Sequence, residues 1–83
     1  MKLKDTVEMM VSSDYKERFK AEFHQIRIRI DGLAGMLIRM DNNMLDFTPK
    51  CSKELLETQL VTMKAYAELL EIRAEVEGIE LYD

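Results

Sequence analysis

The stretch Asp14-Tyr15-Lys16-Glu17-Arg18-Phe19-Lys20-Ala21-Glu22-Phe23 holds the residues best equipped for chemistry, with three cations and three aromatic rings in ten positions. It follows Ser12-Ser13, so it reads as the start of a helix. Free backbone N–H groups at a helix N-terminus, with nearby cations, can hold a phosphate, and an aromatic ring can stack on a base. Tyr15, Lys16, Arg18 and Phe19 are therefore the candidate ligand-binding residues. Arg27, a few turns further on, is the fifth, and both it and Arg29 reach such a ligand only across an interface between copies. The other role of these two arginines is pairing with Asp31 or with acids of the last helix. A structural reading of the whole stretch also stands, with Tyr15, Phe19 and Phe23 in a core and Lys16, Arg18 and Lys20 in water.

Catalytic signatures are absent. No glycine-rich phosphate loop precedes a helix, and no Cys/His or Ser/His arrangement has a supporting motif. Glu68, Glu71 and Glu75 form an acidic ladder of the kind common on solvated helix faces. With one cysteine (Cys51) and one histidine (His24), neither a disulfide within the chain nor a structural zinc site is expected. His24, between Lys20 and Arg27, reads as a boundary residue. The expectation is a non-enzyme with no cofactor and no metal.

The elements that must position these residues follow from two apolar stripes. Phe19, Phe23, Ile26, Ile30, Leu33, Leu37 and Met40 recur at alternating spacings of four and three, and Leu56, Leu60, Met63, Ala67, Leu70 and Ala74 do the same. Such spacing makes a seam along one side of a helix, which another helix must cover. The expected fold is all-α: a short N-terminal helix at 4–11, a long helix at 14–40, a connector at 41–51, a final helix at 52–77 and a tail at 78–83, in one hairpin domain. Asp5 or Thr6 can cap the first helix and Ser12 or Ser13 the second. Asn42-Asn43 ends the long helix, Ser52 caps the last, and Gly78 closes it. Cys51 and Leu56 take the two positions of a hydrophobic staple. Phe47 and Leu45 are expected to fold back onto the hairpin, and Pro49 keeps Thr48 out of helix. Gly32 and Gly35, inside the long helix, suggest a bend or the close approach of another backbone, with simple tolerance as the alternative.

Each helix carries apolar surface beyond its seam: Leu55, Thr62, Tyr66, Leu69 and Val76, interrupted by Gln59 and Arg73, on the last, and Ile28, Ala34, Met36 and Ile38 on the long one. A closed two-helix contact cannot hide all of it. Eighty-three residues also make a marginal core. The fold is therefore expected to be completed by oligomerisation, with Ile28, Met36, Leu55, Tyr66 and Leu69 at the interface. Seven methionines suit irregular packing.

The net charge of −4 is uneven: residues 1–40 carry eight Lys/Arg against six Asp/Glu, and residues 41–83 four against ten. A chain dominated by its acidic half is a poor candidate for duplex DNA. No apolar run approaches a membrane span, Thr6, Glu8, Ser12 and Ser13 interrupt any leader-like stretch, and a lone cysteine suits a reducing compartment. These features predict a cytoplasmic protein that stays inside the cell that makes it.

The stretch Asp14–Phe23, Phe47-Thr-Pro, Leu56-Glu-Thr-Gln59-Leu-Val-Thr-Met63-Lys-Ala-Tyr66 and Leu70-Glu-Ile-Arg73-Ala-Glu-Val-Glu-Gly78-Ile79 resembles small proteins of phages and prophages of Firmicutes. The two-helix part is similar, more distantly, to the hairpin domain of phage anti-CBASS and anti-Thoeris proteins. Those are oligomeric sponges that hold cyclic nucleotide signals of bacterial immunity without cleaving them. They set an aromatic and a basic residue against the nucleotide, and Tyr15 with Lys16 or Arg18 is the nearest equivalent here. The resemblance implies a counter-defence protein that binds a cyclic di- or trinucleotide. Two alternatives remain: an inhibitor, such as an anti-CRISPR, whose acidic last helix engages a host defence protein, and a structural phage component with no ligand.

Overall fold

The computed structural model describes residues 1–82; Asp83, the last residue of the expected tail, lies outside them. A 3-10 turn at Leu3–Thr6 runs into α1 (Val7–Met10), which is followed by α2 (Tyr15–Asp41) and α3 (Lys53–Glu77). The body measures 43 × 24 × 20 Å, its long dimension set by the α2–α3 hairpin. Among the described residues no helix is long and apolar enough to cross a membrane.

Both predicted seams face inward. Phe19, Phe23, Ile30 and Leu37 of α2 and Leu56, Ala67, Leu70 and Ala74 of α3 are buried, and the remaining seam residues are half-buried. The densest packing is at the α2 N-terminus, where Phe19, Phe23, Leu70, Ala74 and Ile79 form one cluster with Ile26 and Leu81 against it.

The caps fix where the helices begin and end. Asp14, not Ser12 or Ser13, caps α2, its carboxylate accepting from the Lys16 N–H at 2.9 Å. Ser12 Oγ instead accepts from the Asp14 N–H at 3.0 Å. A carboxylate at this position meets the helix dipole with full charge, which a hydroxyl lacks. Asn43, at φ 54, closes α2 in the left-handed conformation. Ser52 Oγ accepts from the Leu55 N–H at 3.1 Å. Gly78, at φ 70, turns the chain so that the Ile79 N–H reaches the Ala74 carbonyl at 2.8 Å and the Ile79 side chain packs into the core. Lys53 bridges Asp41 to Glu57 and ties the hairpin at its connector end.

One expectation for the connector needs correcting. Leu45 is half-buried, but Phe47 is 55% exposed rather than folded back, its ring lining a shallow hollow with Met40, Leu45 and Pro49. Cys51 is exposed at its position before the Ser52 cap, and Leu56 is buried. Gly32 faces open space, and a Cβ at Gly35 meets only the Arg39 guanidinium, so neither glycine marks a close backbone approach.

The N-terminal segment lies on α2 and is pinned by Thr6, which is 1% exposed. The Thr6 hydroxyl donates to the Leu3 carbonyl at 2.7 Å and accepts from the Gln25 side-chain amide at 3.0 Å. Thr6→Val keeps the shape and strips both bonds. It is expected to cost about 1–3 kcal/mol, the penalty for leaving a polar partner without its bond. Amide exchange should speed up over residues 3–10 while α3 stays protected; uniform exchange across the chain would contradict this placement.

Candidate functional site

Folding the hairpin about its connector sets the first turn of α2 beside the last turns of α3. There Tyr15, Arg73 and Glu77 close a ring of hydrogen bonds. Tyr15 donates to Glu77 Oε1 at 2.9 Å, Arg73 Nη2 donates to the Tyr15 oxygen at 2.9 Å, and Arg73 Nε donates to Glu77 Oε2 at 3.2 Å. The guanidinium carbon sits 5.0 Å over the Phe19 ring, a cation–π contact. Phe19 also meets Tyr15 edge to face, with centroids 6.2 Å apart.

The predicted ligand-binding residues therefore take different parts. Tyr15 is 46% exposed, with its hydroxyl held between Glu77 and Arg73. Phe19 is only 3% exposed, so its ring belongs to the core and serves as the floor under Arg73. Lys16 is exposed on the same first turn. Arg18 Nη1 donates to the Ser12 carbonyl at 2.8 Å and braces the turn that leads into α2. Arg27 lies elsewhere, three turns along α2 or about 18 Å away. It faces Asp31 at 3.9 Å and lines an interhelical hollow of about 440 Å³ with Lys64, Glu68 and Glu71 of α3. Within one protomer the structure brings Tyr15 and Phe19 together, leaves Lys16 exposed on the same turn, turns Arg18 to the Ser12 carbonyl and sets Arg27 apart.

Arg73 is the site residue that sequence reading missed, since it stood as an interruption of an apolar stripe and as one position of a resembling stretch, with no role assigned. The available signal was the hairpin itself. Antiparallel folding about a connector centred near residue 47 sets the α2 start opposite the α3 end.

The predicted interface residues divide as well. Leu55, Tyr66 and Leu69 are exposed on α3, whereas Ile28 and Met36 are half-buried on α2. His24 is part-buried: its Nε2 lies 2.9 Å from the Leu81 carbonyl, and the Tyr82 ring packs edge-on against Phe23 and His24. The tail thus folds back through residue 82. Beside it a hollow of about 480 Å³ is lined by Ile72, Ile79, Leu81 and Tyr82 with Glu68, Glu71 and Glu75, a surface that repels anions.

Charge within the ring is balanced, because Glu77 neutralises Arg73. An anion approaching Arg73 therefore competes with that carboxylate. The bond to Glu77 also holds the Tyr15 hydroxyl above its ordinary value of 10.0. A value raised in the folded protein means the phenol bond contributes fully below pH 10. That contribution is lost as pH climbs through the higher folded value. Ultraviolet titration of the protein minus its Tyr15→Phe variant should give a midpoint above 10; a midpoint at or below 10 would contradict the bond to Glu77.

A family model described as Sequestin matches residues 13–76, well over half of the chain. The matched span contains Tyr15, Phe19 and Arg73. No curated protein matches the chain, and no solved structure does.

Proposed function

The chain belongs to the Sequestin family, and from that premise we propose that it is a non-enzymatic phage-type counter-defence protein that sequesters a cyclic nucleotide signal of bacterial immunity. The family's name fits a binding role rather than a catalytic one. The observation that carries the ligand class is the Arg73 guanidinium, held over Phe19 and beside the exposed Tyr15, with Lys16 on the adjoining turn. An arginine fork grips a phosphate in bidentate fashion, and an exposed phenol ring stacks on a base. Glu77 keeps the fork oriented until the ligand's phosphate replaces it. The protein acts in the host cytosol as an assembly of copies, and Arg27 joins a ligand only from a neighbouring copy.

Isothermal titration against a panel of cyclic di- and trinucleotides tests the reading. Heat with at least one member, saturating at a fixed ratio of ligand to protein, is expected. No heat with any member overturns the ligand class.

A second reading rests on the acidic face of α3, where Glu54, Glu57, Glu68, Glu71 and Glu75 are exposed. Such a face suits a basic surface on a host defence protein, with complementary charge speeding encounter. Under that reading a partner is retained from host lysate at low salt and released at high salt.

A further inference from the structure

We infer that a second copy of this chain docks, parallel, along a solvent-facing seam of α3. Leu55, Thr58, Thr62, Ala65, Leu69, Ile72 and Val76 alternate at spacings of three and four residues, and every one is exposed. This is a complete set of a and d positions over three heptads, about 32 Å of helix, on the side of α3 away from the buried seam. Leu69 is 59% exposed, Ile72 58% and Val76 82%, and Val61 beside them is 67% exposed. Monomers rarely present a continuous apolar ridge of this length.

The two threonines in the ridge are already prepared for burial. Thr58 Oγ1 donates to the Glu54 carbonyl and Thr62 Oγ1 to the Thr58 carbonyl, each at 2.9 Å. Their hydroxyls are satisfied within the helix, so a partner covers them without stranding a donor.

The flanking residues select the occupant and its direction. One flank is Glu54, Val61, Glu68 and Glu75; the other is Gln59, Tyr66 and Arg73. In a parallel pair Glu54, Val61 and Glu68 each face the partner residue five further on, while the position opposite Glu75 lies beyond the end of α3. Glu54 then meets the partner's Gln59, Val61 the partner's Tyr66, and Glu68 the partner's Arg73. All three pairs match in chemistry. Antiparallel pairing sets the acidic flank against itself and brings carboxylates together, which is repulsive. The surface is thus complementary to its own copy in one direction only.

This arrangement reaches the candidate site. The described bonds of Arg73 use Nε and one Nη2 hydrogen, and a guanidinium has five donors. The partner's Glu68 takes a remaining one, so the second copy adds to each Tyr15–Arg73 site a second carboxylate that, like Glu77, competes with an incoming anion. The docking itself does not depend on the ligand assigned above, and it is read without any nucleotide present.

The experiment is sedimentation equilibrium at micromolar concentration, followed by directional cross-linking. The unaltered chain should sediment at twice its 9.7 kDa mass. Leu69→Glu should weaken association at least 100-fold while leaving the helical circular dichroism unchanged, since Leu69 is 59% exposed and lies outside the core cluster. A chain that stays monomeric, or a Leu69→Glu variant that associates as before, overturns the proposal. In a Cys51→Ser background, Val76→Cys should oxidise to a covalent dimer by itself. A covalent dimer that forms only when Val76→Cys is mixed with Leu55→Cys overturns the parallel direction.

Discussion

Phe23→Ala is expected to lower the free energy of unfolding by about 3–5 kcal/mol, the cost of emptying a fully buried aromatic site. Phe23 is 0% exposed and sits in the cluster that joins α2, α3 and the returning tail. Its ring also meets His24 edge-on at 5.5 Å and Tyr82 at 5.6 Å, so the cavity would lie beneath the segment that closes the hairpin. Small domains have about 5–15 kcal/mol in total, so this one change removes a large share. Urea unfolding followed by circular dichroism, at fixed protein concentration so that association contributes equally, measures the loss. Ile38→Ala is the comparison. Ile38 is 62% exposed, and its truncation should stay within about 0.5 kcal/mol of the unaltered chain. Equal effects of the two changes would mean that the helices do not pack through the Phe19–Phe23 face.

Arg73→Ala is expected to weaken cyclic nucleotide binding roughly 10- to 150-fold, the loss of a hydrogen bond to a charged group worth about 1.5–3 kcal/mol. Arg73→Lys keeps the charge but not the planar fork, and should recover only part of the affinity. Stability should change little, because the ring of Tyr15, Arg73 and Glu77 is exposed to solvent and surface pairs of this kind contribute under about 1 kcal/mol. The neighbouring carboxylate separates ligand contact from scaffolding. Glu77→Gln removes the group that competes for Arg73 and should tighten binding. If Arg73 only held the helices together, both substitutions would weaken binding, because both break the same ring. Opposite signs support direct contact; the same sign contradicts it.

The helices were legible because their seams repeat at helical spacing and their ends carry strong caps. Ser52, Asn43 and Gly78 each perform the function their chemistry suggests, and α2 and α3 begin and end within a residue of the expected bounds. The start of α2 was less clear because Ser12, Ser13 and Asp14 are all competent caps. Only the path of the chain out of α1 decides among them. Phe47 misled because hydrophobicity says that a ring prefers burial but not how much of it a short connector covers. The candidate site was half legible. Tyr15 and Lys16 share a helix turn, which local sequence reveals. Arg73 lies 58 positions from Tyr15 and meets it only through the tertiary pairing of α2 with α3. Phe19 and Tyr15 have equal claims as stacking surfaces in the sequence, and the hairpin separates them by burying one and exposing the other. The outward ridge on α3 was visible in part through Leu55, Thr62, Leu69 and Val76. Its full heptad register became evident once all seven members were found facing solvent.

The central claim is that this chain captures a cyclic nucleotide and returns it unchanged. Equilibrium dialysis against the tightest-binding member of the nucleotide panel, followed by heat denaturation and chromatography of the released material, tests it most directly. The account expects retention in stoichiometric amount by the folded protein and recovery of the same cyclic compound afterwards. Release of a linear or shortened product, or no retention of any panel member, would contradict it.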